Sequence, residues 1–291
     1  EILRRLVGSE MCIRDRTAYV INGQPVNDME NGRIYWSNWM GLIDLTSSVQ
    51  IQRGLGSTSL AVPSAGGTVS VNTRAAEVDP GSGIKMSIGD NSYQKFTAFH
   101  NTGVNELGWS SSFLLGFWQG DGWRNGMQGE GTTYAFSVGY TPRGSDHEFN
   151  FSLIGAGQWH HQSFYGTQLQ DYLDYGPIQG DDYRKFNALY GDYRGEEFSI
   201  LRNYYNKPLA TFNWDWEISS RVTLATSLYG SAGRGGGTGL RGRGSYGVSP
   251  FRESYAEYLD DHGEWRNSDT TINWDVACLL YTSDAADESR G

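Results

Sequence analysis

Few side chains in this sequence are spaced for chemistry, and those that are point to binding rather than bond making. His160 and His161 are adjacent, so on an extended strand they face opposite sides and cannot hold one ion together. The acidic runs "DYLDYG" and "YLDDHGE" bring carboxylates close enough to hold a cation, with a solvated loop as the plainer account. The run "RGGGTGLRGRG" has a glycine spacing like that of a phosphate loop. No apolar strand leads into it and no helical pattern follows, which makes it a surface loop. No nucleophile sits beside a base and no metal-ligand cluster emerges, so the reading assigns no catalytic residue, no metal and no cofactor, and the chain is not expected to be an enzyme.

The two ends stand apart from the rest. Residues 9–16 read "SEMCIRDR" and residues 278–288 read "CLLYTSDAADE", and both look like translated adapter DNA from transposase-based library preparation. The codons ATG TGT ATA AGA GAC give Met11 to Asp15. The complementary strand of the same element, in another frame, gives Cys278 to Ser283. Segments of this kind are set aside before fold reasoning, so residues 1–16 and 278–291 are treated as artefact and Thr17 to Ala277 as the native insert. Cys12 and Cys278 fall in these tails, which leaves the insert without cysteine and therefore without a disulfide framework or a thiolate site. Residues 1–16 carry four Arg against three acids and residues 278–291 three acids against one Arg, so trimming moves the formal charge from −10 to −9. An acidic chain of this kind is a poor binder of nucleic acid.

With 39 Gly, 18 Tyr, 12 Phe and 10 Trp in 291 residues, the composition favours β-structure. The mean hydropathy of −0.52 is no argument for solubility, because a membrane β-barrel alternates lipid-facing and lumen-facing residues and averages to a polar composition. From Gly83 onward the sequence divides into alternating segments of roughly 9–11 residues, enough to cross a bilayer as a tilted strand. The clearest is Leu209 to Ile218, where Ala210, Phe212, Trp214, Trp216 and Ile218 share one face and Thr211, Asn213, Asp215 and Glu217 the other. Phe149, Phe151, Leu153 and Trp159 alternate with Glu148, Asn150, Ser152 and Gln158, and Tyr134, Phe136, Val138 and Tyr140 with Ala135, Ser137 and Gly139. Weaker versions occur at Ile84, Met86 and Ile88, at Trp109, Phe113, Leu115 and Phe117, at Val222, Leu224 and Leu228, and at Ile272, Trp274 and Val276. The facing of Tyr93 to His100 stays open.

A half-buried strand of a soluble sandwich would explain any one of these segments. The connections favour a barrel. After a hairpin near Gly89 to Ser92 they alternate: "GVNE" short, Asp121 to Gly131 long, "RGSD" short, Gln162 to Asn206 very long, Ser219 to Arg221 short, Gly233 to Asn267 long. Short turns at one rim and long loops at the other characterise outer-membrane barrels, and Trp109, Trp118, Tyr140, Trp159 and Trp216 suit their aromatic girdles.

The region before the first such strand differs. "YVINGQPVND" offers a strand and an Asn22-Gly23 turn, "VQIQRG" and "GGTVSVNTR" offer two more strands, and "SNWMGLIDLTSS" has room for a short helix. Glycines 54, 56, 66 and 67 allow positive φ and close backbone approach. These residues, "INGQPVNDMENGRIYWSNWMGL" followed by "SSVQIQRGLGSTSLAVPSAGGTVSVNTR", resemble the second half of the plug domain of TonB-dependent outer-membrane receptors, especially those of Bacteroidetes-type bacteria. The resemblance covers nearly all of residues 17–75. It departs where Leu55, rather than Pro, follows Arg53-Gly54, and where "AVPSA" precedes Gly66-Gly67 in place of a "GSGA"-like run.

The resemblance implies a mainly β fold: a partial plug at 17–75, then residues 76–277 as about eight antiparallel strands of an incomplete transmembrane β-barrel, which in transporters of this class has about 22 strands. Asn22, Gly23, Arg53, Gly54, Gly66 and Gly67 carry the plug motif. Arg53 is expected either to pair with Asp215 or Glu217 on the inner wall or to stay solvated. Asn27 to Trp39 would form the plug's outward loop, with Tyr35, Trp36, Asn38 and Trp39 as ligand-binding residues, or as packing against the wall. The Tyr-rich loop Gln162 to Asn206 is a second candidate region. The implied function is active import of a scarce siderophore, vitamin or oligosaccharide across the bacterial outer membrane. The implied partners are the TonB energy-transducing protein, outer-membrane lipid, a small-molecule or glycan ligand and a surface lipoprotein, with no nucleic acid. On this reading the chain belongs to a longer receptor that supplies the signal peptide, the first half of the plug, the TonB-contacting segment and further strands. The alternatives are a passive porin or barrel-anchored adhesin, and a soluble carbohydrate-binding β-sandwich. Long-read sequencing across both ends of the locus is expected to replace residues 1–16 and 278–291 with a plug start and further alternating strands. Native codons for both tails, closed by a stop, would return the chain to a small self-contained β-protein.

Overall fold

Alternation and turn chemistry account for most of the chain's architecture. A computed structural model describes residues 17–29, 31–39, 41–54, 66–163, 167, 169–238 and 266–276. Both adapter-like tails, Gly56, the "YLDDHGE" run and the end of "RGGGTGLRGRG" lie outside the described residues.

The first region folds as a small mixed sheet of β1 (Thr17–Ile21), β2 (Gln24–Pro25), β3 (Ser48–Arg53) and β4 (Gly67–Asn72). Its order is β2-β1-β4-β3. Asn22 and Gly23, at φ of 49° and 85°, make the left-handed turn that lets β1 and β2 pair as a hairpin. β1 then runs parallel to β4, and β3 antiparallel to it. The short helix expected in "SNWMGLIDLTSS" divides into two 3₁₀ turns, Trp36–Trp39 and Leu42–Leu45, because Gly41 takes a φ of 83° between them.

The rest is dominated by one antiparallel wall: β5 (Gly81–Ile88), β6 (Gln94–Asn101), β7 (Trp109–Gly120), β8 (Gly129–Tyr140), β9 (His147–His161), β13 (Leu209–Ser219) and β14 (Val222–Ser231). Between β9 and β13 lie helices α1 (Leu169–Asp174) and α2 (Gly176–Gln179), the hairpin β10 (Tyr190–Tyr193) and β11 (Glu196–Ser199), and β12 (Arg202–Asn206). β12 pairs with the end of β9, and β15 (Arg234–Gly237) pairs with β12, so these two prolong β13 and β14 beyond the long-loop rim. The described part of the segment Gln162 to Asn206 is thus partly wall and partly a small folded cap rather than a plain loop. Among the described residues the wall is open, with β5 and β14 at its edges. No helix of the described residues is long and apolar enough to cross a membrane, which says nothing of a β-barrel.

The wall is inverted relative to a water-soluble sheet. Ser112, Ser137, Ser152 and Thr211 stand side by side across β7, β8, β9 and β13, and all are buried. The row next to it on the opposite face, Val138, Phe151, Phe212 and Leu228, is apolar, with its Phe and Leu exposed. Ile84, Met86, Ile88, Phe113, Leu115, Phe117 and Phe136 are exposed as well. Burying serines while exposing leucine and phenylalanine is unfavourable in water and favourable when the outer face meets hydrocarbon. At the short-turn rim a belt of outward aromatics crosses four strands: Trp109 stacks on Tyr140 at 4.3 Å, Tyr140 neighbours Phe149 at 6.4 Å, and Phe149 lies 6.3 Å from Trp214. Trp216 flanks His147 at 5.2 Å. This is the arrangement of an interfacial girdle.

Two expectations are corrected and one open question is resolved. Trp118 faces inward, because it shares the parity of the buried Ser110, Ser112 and Leu114 and pairs with Lys95. It lies over Gly131, where a β-carbon would stand 2.6 Å from the indole nitrogen. Ile272, Trp274 and Val276 do not form a wall strand. Ile272–Asn273 makes a short β16 parallel to β10, the Asn273 side chain then accepts from the Val276 backbone N–H, and residues 274–276 turn helical. Ile272 and Trp274 are buried against Tyr193, Phe198 and Ile200 in a cluster of their own. Three alternating positions fit this as well as they fit a strand. The open facing of Tyr93 to His100 resolves with Thr97 buried and Phe96 exposed.

Leu115 sits midway along β7 on the outer face. In a bilayer, Leu115→Arg is expected to cost about 2–4 kcal/mol, measured by denaturant unfolding in lipid vesicles. An exposed leucine of a water-soluble sheet would change by no more than about 0.5 kcal/mol, and that result would remove the membrane-facing assignment.

Candidate ligand-binding face of the plug

The loop from Val26 to Thr46 is anchored before it is shaped. Asn27 accepts the Tyr19 N–H at 2.8 Å and donates to the carbonyls of Thr17 at 2.8 Å and Gly32 at 2.9 Å, fastening the loop to β1. Asn31 donates to the Tyr35 hydroxyl at 2.7 Å, which fixes that ring. The Trp36–Trp39 turn then lies against β9, and a cavity of about 260 Å³ opens between loop and wall at the long-loop rim.

Of the four expected ligand residues, the cavity brings together Tyr35, Asn38 and Trp39. Trp39 is only 6% exposed and belongs to the core with Ile21, Leu42, Val71, Ala135, Ile154 and Leu209, so packing is its main role and it offers the cavity one edge. Trp36 is not part of the lining. It meets Tyr19 edge to face at 5.3 Å and remains half exposed. The wall supplies residues the sequence reading missed: His160 and Gln162 from β9 and its end, Asn203 and Tyr205 from β12, and Lys207. They become visible once the alternation of β13 is followed backward through Pro208, which places Asn203 and Tyr205 on the inward face. The lining combines an ammonium, the Asp28 carboxylate, two phenols and several amides. That set hydrogen-bonds hydroxyls and carboxylates and covers them with aromatic edges. Among the described residues no group of three His, Cys, Asp or Glu could hold a metal ion.

The plug-motif residues fasten the plug rather than line the cavity. Asn22 is buried, donates to the Thr73 hydroxyl at 2.8 Å and accepts the Thr73 N–H at 2.8 Å. Its carbonyl accepts from Asn213 of β13 at 3.1 Å, and a β-carbon on Gly23 would meet Ser227 of β14 at 3.3 Å. The hairpin turn is therefore a plug-to-wall contact. Gly66 lies in the turn into β4, and a β-carbon on Gly67 would stand 2.4 Å from the Gln52 carbonyl oxygen, so only glycine fits there. Gly54 turns the end of β3 at a φ of 75° toward open space.

Arg53 is exposed and does not reach the wall carboxylates. Arg74 takes that place, 3.0 Å from Asp215 and 3.2 Å from Glu148. The antiparallel pairing of β3 and β4 explains the exchange, since it sets Arg53 at the opposite end of the sheet from Asn72, where the chain leaves toward Arg74. A second tie joins Asp44 of the plug to Lys95 and Lys85 of the wall. Arg74, Glu148 and Asp215 are each about a quarter to a third exposed, which screens them. Arg74→Met is accordingly expected to cost about 1–3 kcal/mol by leaving two carboxylates unpaired, and Arg53→Met less than about 0.5 kcal/mol. Urea unfolding in detergent, with a double-mutant cycle through Asp215→Asn, measures this. Equal losses at the two arginines would remove Arg74 from the joint.

No protein-family model matches the chain, and no curated protein matches it. Solved structures do. The ferric citrate transporter FecA in its unliganded form aligns with a TM-score of 0.55 at 16% identity, over 79% of this chain and 33% of its own. The siderophore receptor PiuA from Acinetobacter baumannii gives 0.54 at 11% identity, over 77% and 30%. The open form of the ferric-catecholate import receptor Fiu from E. coli K12 gives 0.53 at 14% identity, over 76% and 32%. These neighbours are TonB-dependent outer-membrane receptors, transporters rather than enzymes, and they do not distinguish a Bacteroidetes-type subclass. The chain spans about a third of their length. At such identities the likeness is one of fold: a plug sheet seated against the inner face of an antiparallel barrel wall.

Proposed function

We propose that this chain is the second half of the plug and the first strands of the barrel of a TonB-dependent receptor in the bacterial outer membrane, with residues 17–75 as plug and 76–277 as wall. The observation that supports this most is the inverted wall, whose inner face buries the row Ser112, Ser137, Ser152 and Thr211 and packs Ala135, Ile154 and Leu209 on the plug, while its other face is apolar and exposed. A soluble carbohydrate-binding sandwich would bury the apolar face. A passive pore would have no reason to carry a folded plug tied to its inner wall by Asn22, Arg74 and Asp44.

Function on this reading is gated import without covalent chemistry. Ligand enters from the long-loop rim and meets Tyr35 and Asn38 of the plug together with Tyr205 and Lys207 of the wall. The lining suits a compact ligand rich in hydroxyls or carboxylates, a class that includes ferric chelates such as those named for the structural neighbours. TonB, acting from the periplasm, would work against the ionic and amide ties between plug and wall.

Uptake of iron-55 presented as citrate or catecholate chelate, in cells carrying the receptor that contains this chain, is expected to stop when the proton-motive force is collapsed. Tyr205→Ala with Lys207→Ala is expected to raise the half-saturating concentration about ten-fold, a loss of about 1.4 kcal/mol. Uptake that persists without the proton-motive force would sink active import in favour of a passive pore.

A further inference from the structure

The strand pair β9 and β12 carries a second cavity, of about 560 Å³, on the face opposite the plug. Strand parity fixes the side: Trp159 and Tyr204 are paired neighbours that point outward with Phe117, whereas Gln158 and Tyr205, one residue along, point inward. The floor is open because Gly157 has no side chain and Thr132 has a short one. Two guanidiniums border this floor, Arg202 toward the long-loop end and Arg234 opposite Asn206, beside Gly157. Arg202 lies 4.2 Å above the Trp159 ring, and Arg234 lines the cleft from β15. No described carboxylate pairs with either arginine. Glu130, the nearby acid, accepts the Trp159 indole N–H at 2.8 Å and thereby fixes the ring on which Arg202 rests. Away from the rim the cleft runs into the exposed Phe117, Leu115 and Phe113 of β7.

An apolar channel bordered by two guanidiniums that have no carboxylate partner among the described residues matches an amphiphile with a negatively charged head. Guanidinium binds phosphate through paired N–H donors, and basic clusters with aromatics at a membrane interface recognise anionic lipid headgroups. We propose that this cleft seats the net anionic phosphate headgroup of an outer-leaflet lipid, held by Arg202 and Arg234 with its acyl chain along Phe117 and Leu115. The inference rests on the membrane-embedded reading above. That reading puts the cleft at the boundary between hydrocarbon and headgroups, where a lipid can reach it laterally and a soluble ligand of the inner cavity cannot.

The test uses the whole receptor that contains this chain, purified in non-ionic detergent and titrated with phosphatidic acid or with phosphatidylcholine of the same acyl chains, bound lipid being counted by native mass spectrometry. Phosphatidic acid is expected to be retained and phosphatidylcholine not. The R202Q/R234Q variant is expected to weaken retention at least ten-fold, while R202K/R234K, which keeps the charge and controls for folding, loses less. Arg143→Gln, on the opposite rim, is expected to leave retention unchanged. Equal retention by R202Q/R234Q and the native chain, or equal retention of both lipids, would overturn the proposal. So would displacement by inorganic phosphate at the concentration of the phosphatidic acid, since the site would then be one for a free anion. A receptor that fails to enter vesicles at all defeats the membrane reading, whereas one that enters without lipid preference defeats only this inference.

Discussion

The joint between Asn22 and Asn213 is the interaction on which the two parts of the molecule depend. The Asn213 amide donates to the Asn22 carbonyl at 3.1 Å and to the Ser227 hydroxyl at 2.8 Å, and both asparagines are buried. A buried amide left without a partner costs about 1–3 kcal/mol, so the polar inner face of β13 is stable only with a polar surface laid against it. The plug provides that surface as exposed turn backbone. In return the wall satisfies a hairpin turn whose left-handed residues leave its carbonyls outside the plug's own ladder. The ionic contacts of Arg74 and Asp44 flank this joint and orient it. The joint satisfies the Asn213 amide hydrogens, while among the described residues its Oδ1 and the hydroxyls of Ser112 and Thr211 have no hydrogen-bond partner, so the polar character of this face goes beyond what the plug contact itself satisfies.

Much of this was legible in the sequence because a strand has a period of two and a barrel wall has two unlike sides. Spacing alone puts Phe149 and Phe151 on one face of their strand and Phe212 and Trp214 on one face of theirs, and the structure pairs them side by side on the outer face. The pattern failed where glycine interrupts it. Gly155 and Gly157 blur the upper half of β9, and Pro208 conceals that β12 and β13 are one nearly continuous strand, so Asn203 and Tyr205 went unrecognised as inward-facing. The isolated Ile272, Trp274 and Val276 alternate over too few residues to separate a strand from a short helical turn. Arg53 and Arg74 show a different limit. Either arginine could reach a wall carboxylate, and only the register of β3 against β4 decides between them. Trp118 illustrates the same dependence on register, since its type suits a girdle and its parity puts it inside.

The plug loop shows how stability narrows the surface proposed for binding. Trp39 is committed to the shared core and Trp36 to the ring of Tyr19, so two large aromatics in a stretch read as ligand-binding are occupied with packing. On the proposed function, what remains for a ligand is Tyr35, pinned by Asn31, and Asn38, whose backbone N–H closes the turn onto the Tyr35 carbonyl. Groups already held by the fold lose little freedom on binding, and that preorganisation favours affinity over the larger area four loose aromatics would offer. Asn27, which is not in the lining of this cavity, is therefore as important to this surface as the residues that line it, because two of its hydrogen bonds set the loop on β1 and a third, to Gly32, holds the loop's own curve.

On the two proposals, the continuation of β9 and β12 past the apolar band gives one strand pair two duties. Gln158 and Trp159 are covalent neighbours, yet Gln158 donates inward to Asn203 at 3.2 Å while Trp159 supports Arg202 outside. The pleat keeps the two cavities on opposite sides of a single layer of backbone. A ligand in one and a lipid in the other would be separated by little more than the thickness of that layer. Substitutions at adjacent positions on these strands should consequently affect different partners, whereas substitutions two apart should affect the same one. That pattern is a property of the extended backbone rather than of any particular side chain. It distinguishes a wall that works on both faces from a long loop that happens to bear aromatic and basic residues, because a loop carries no such parity.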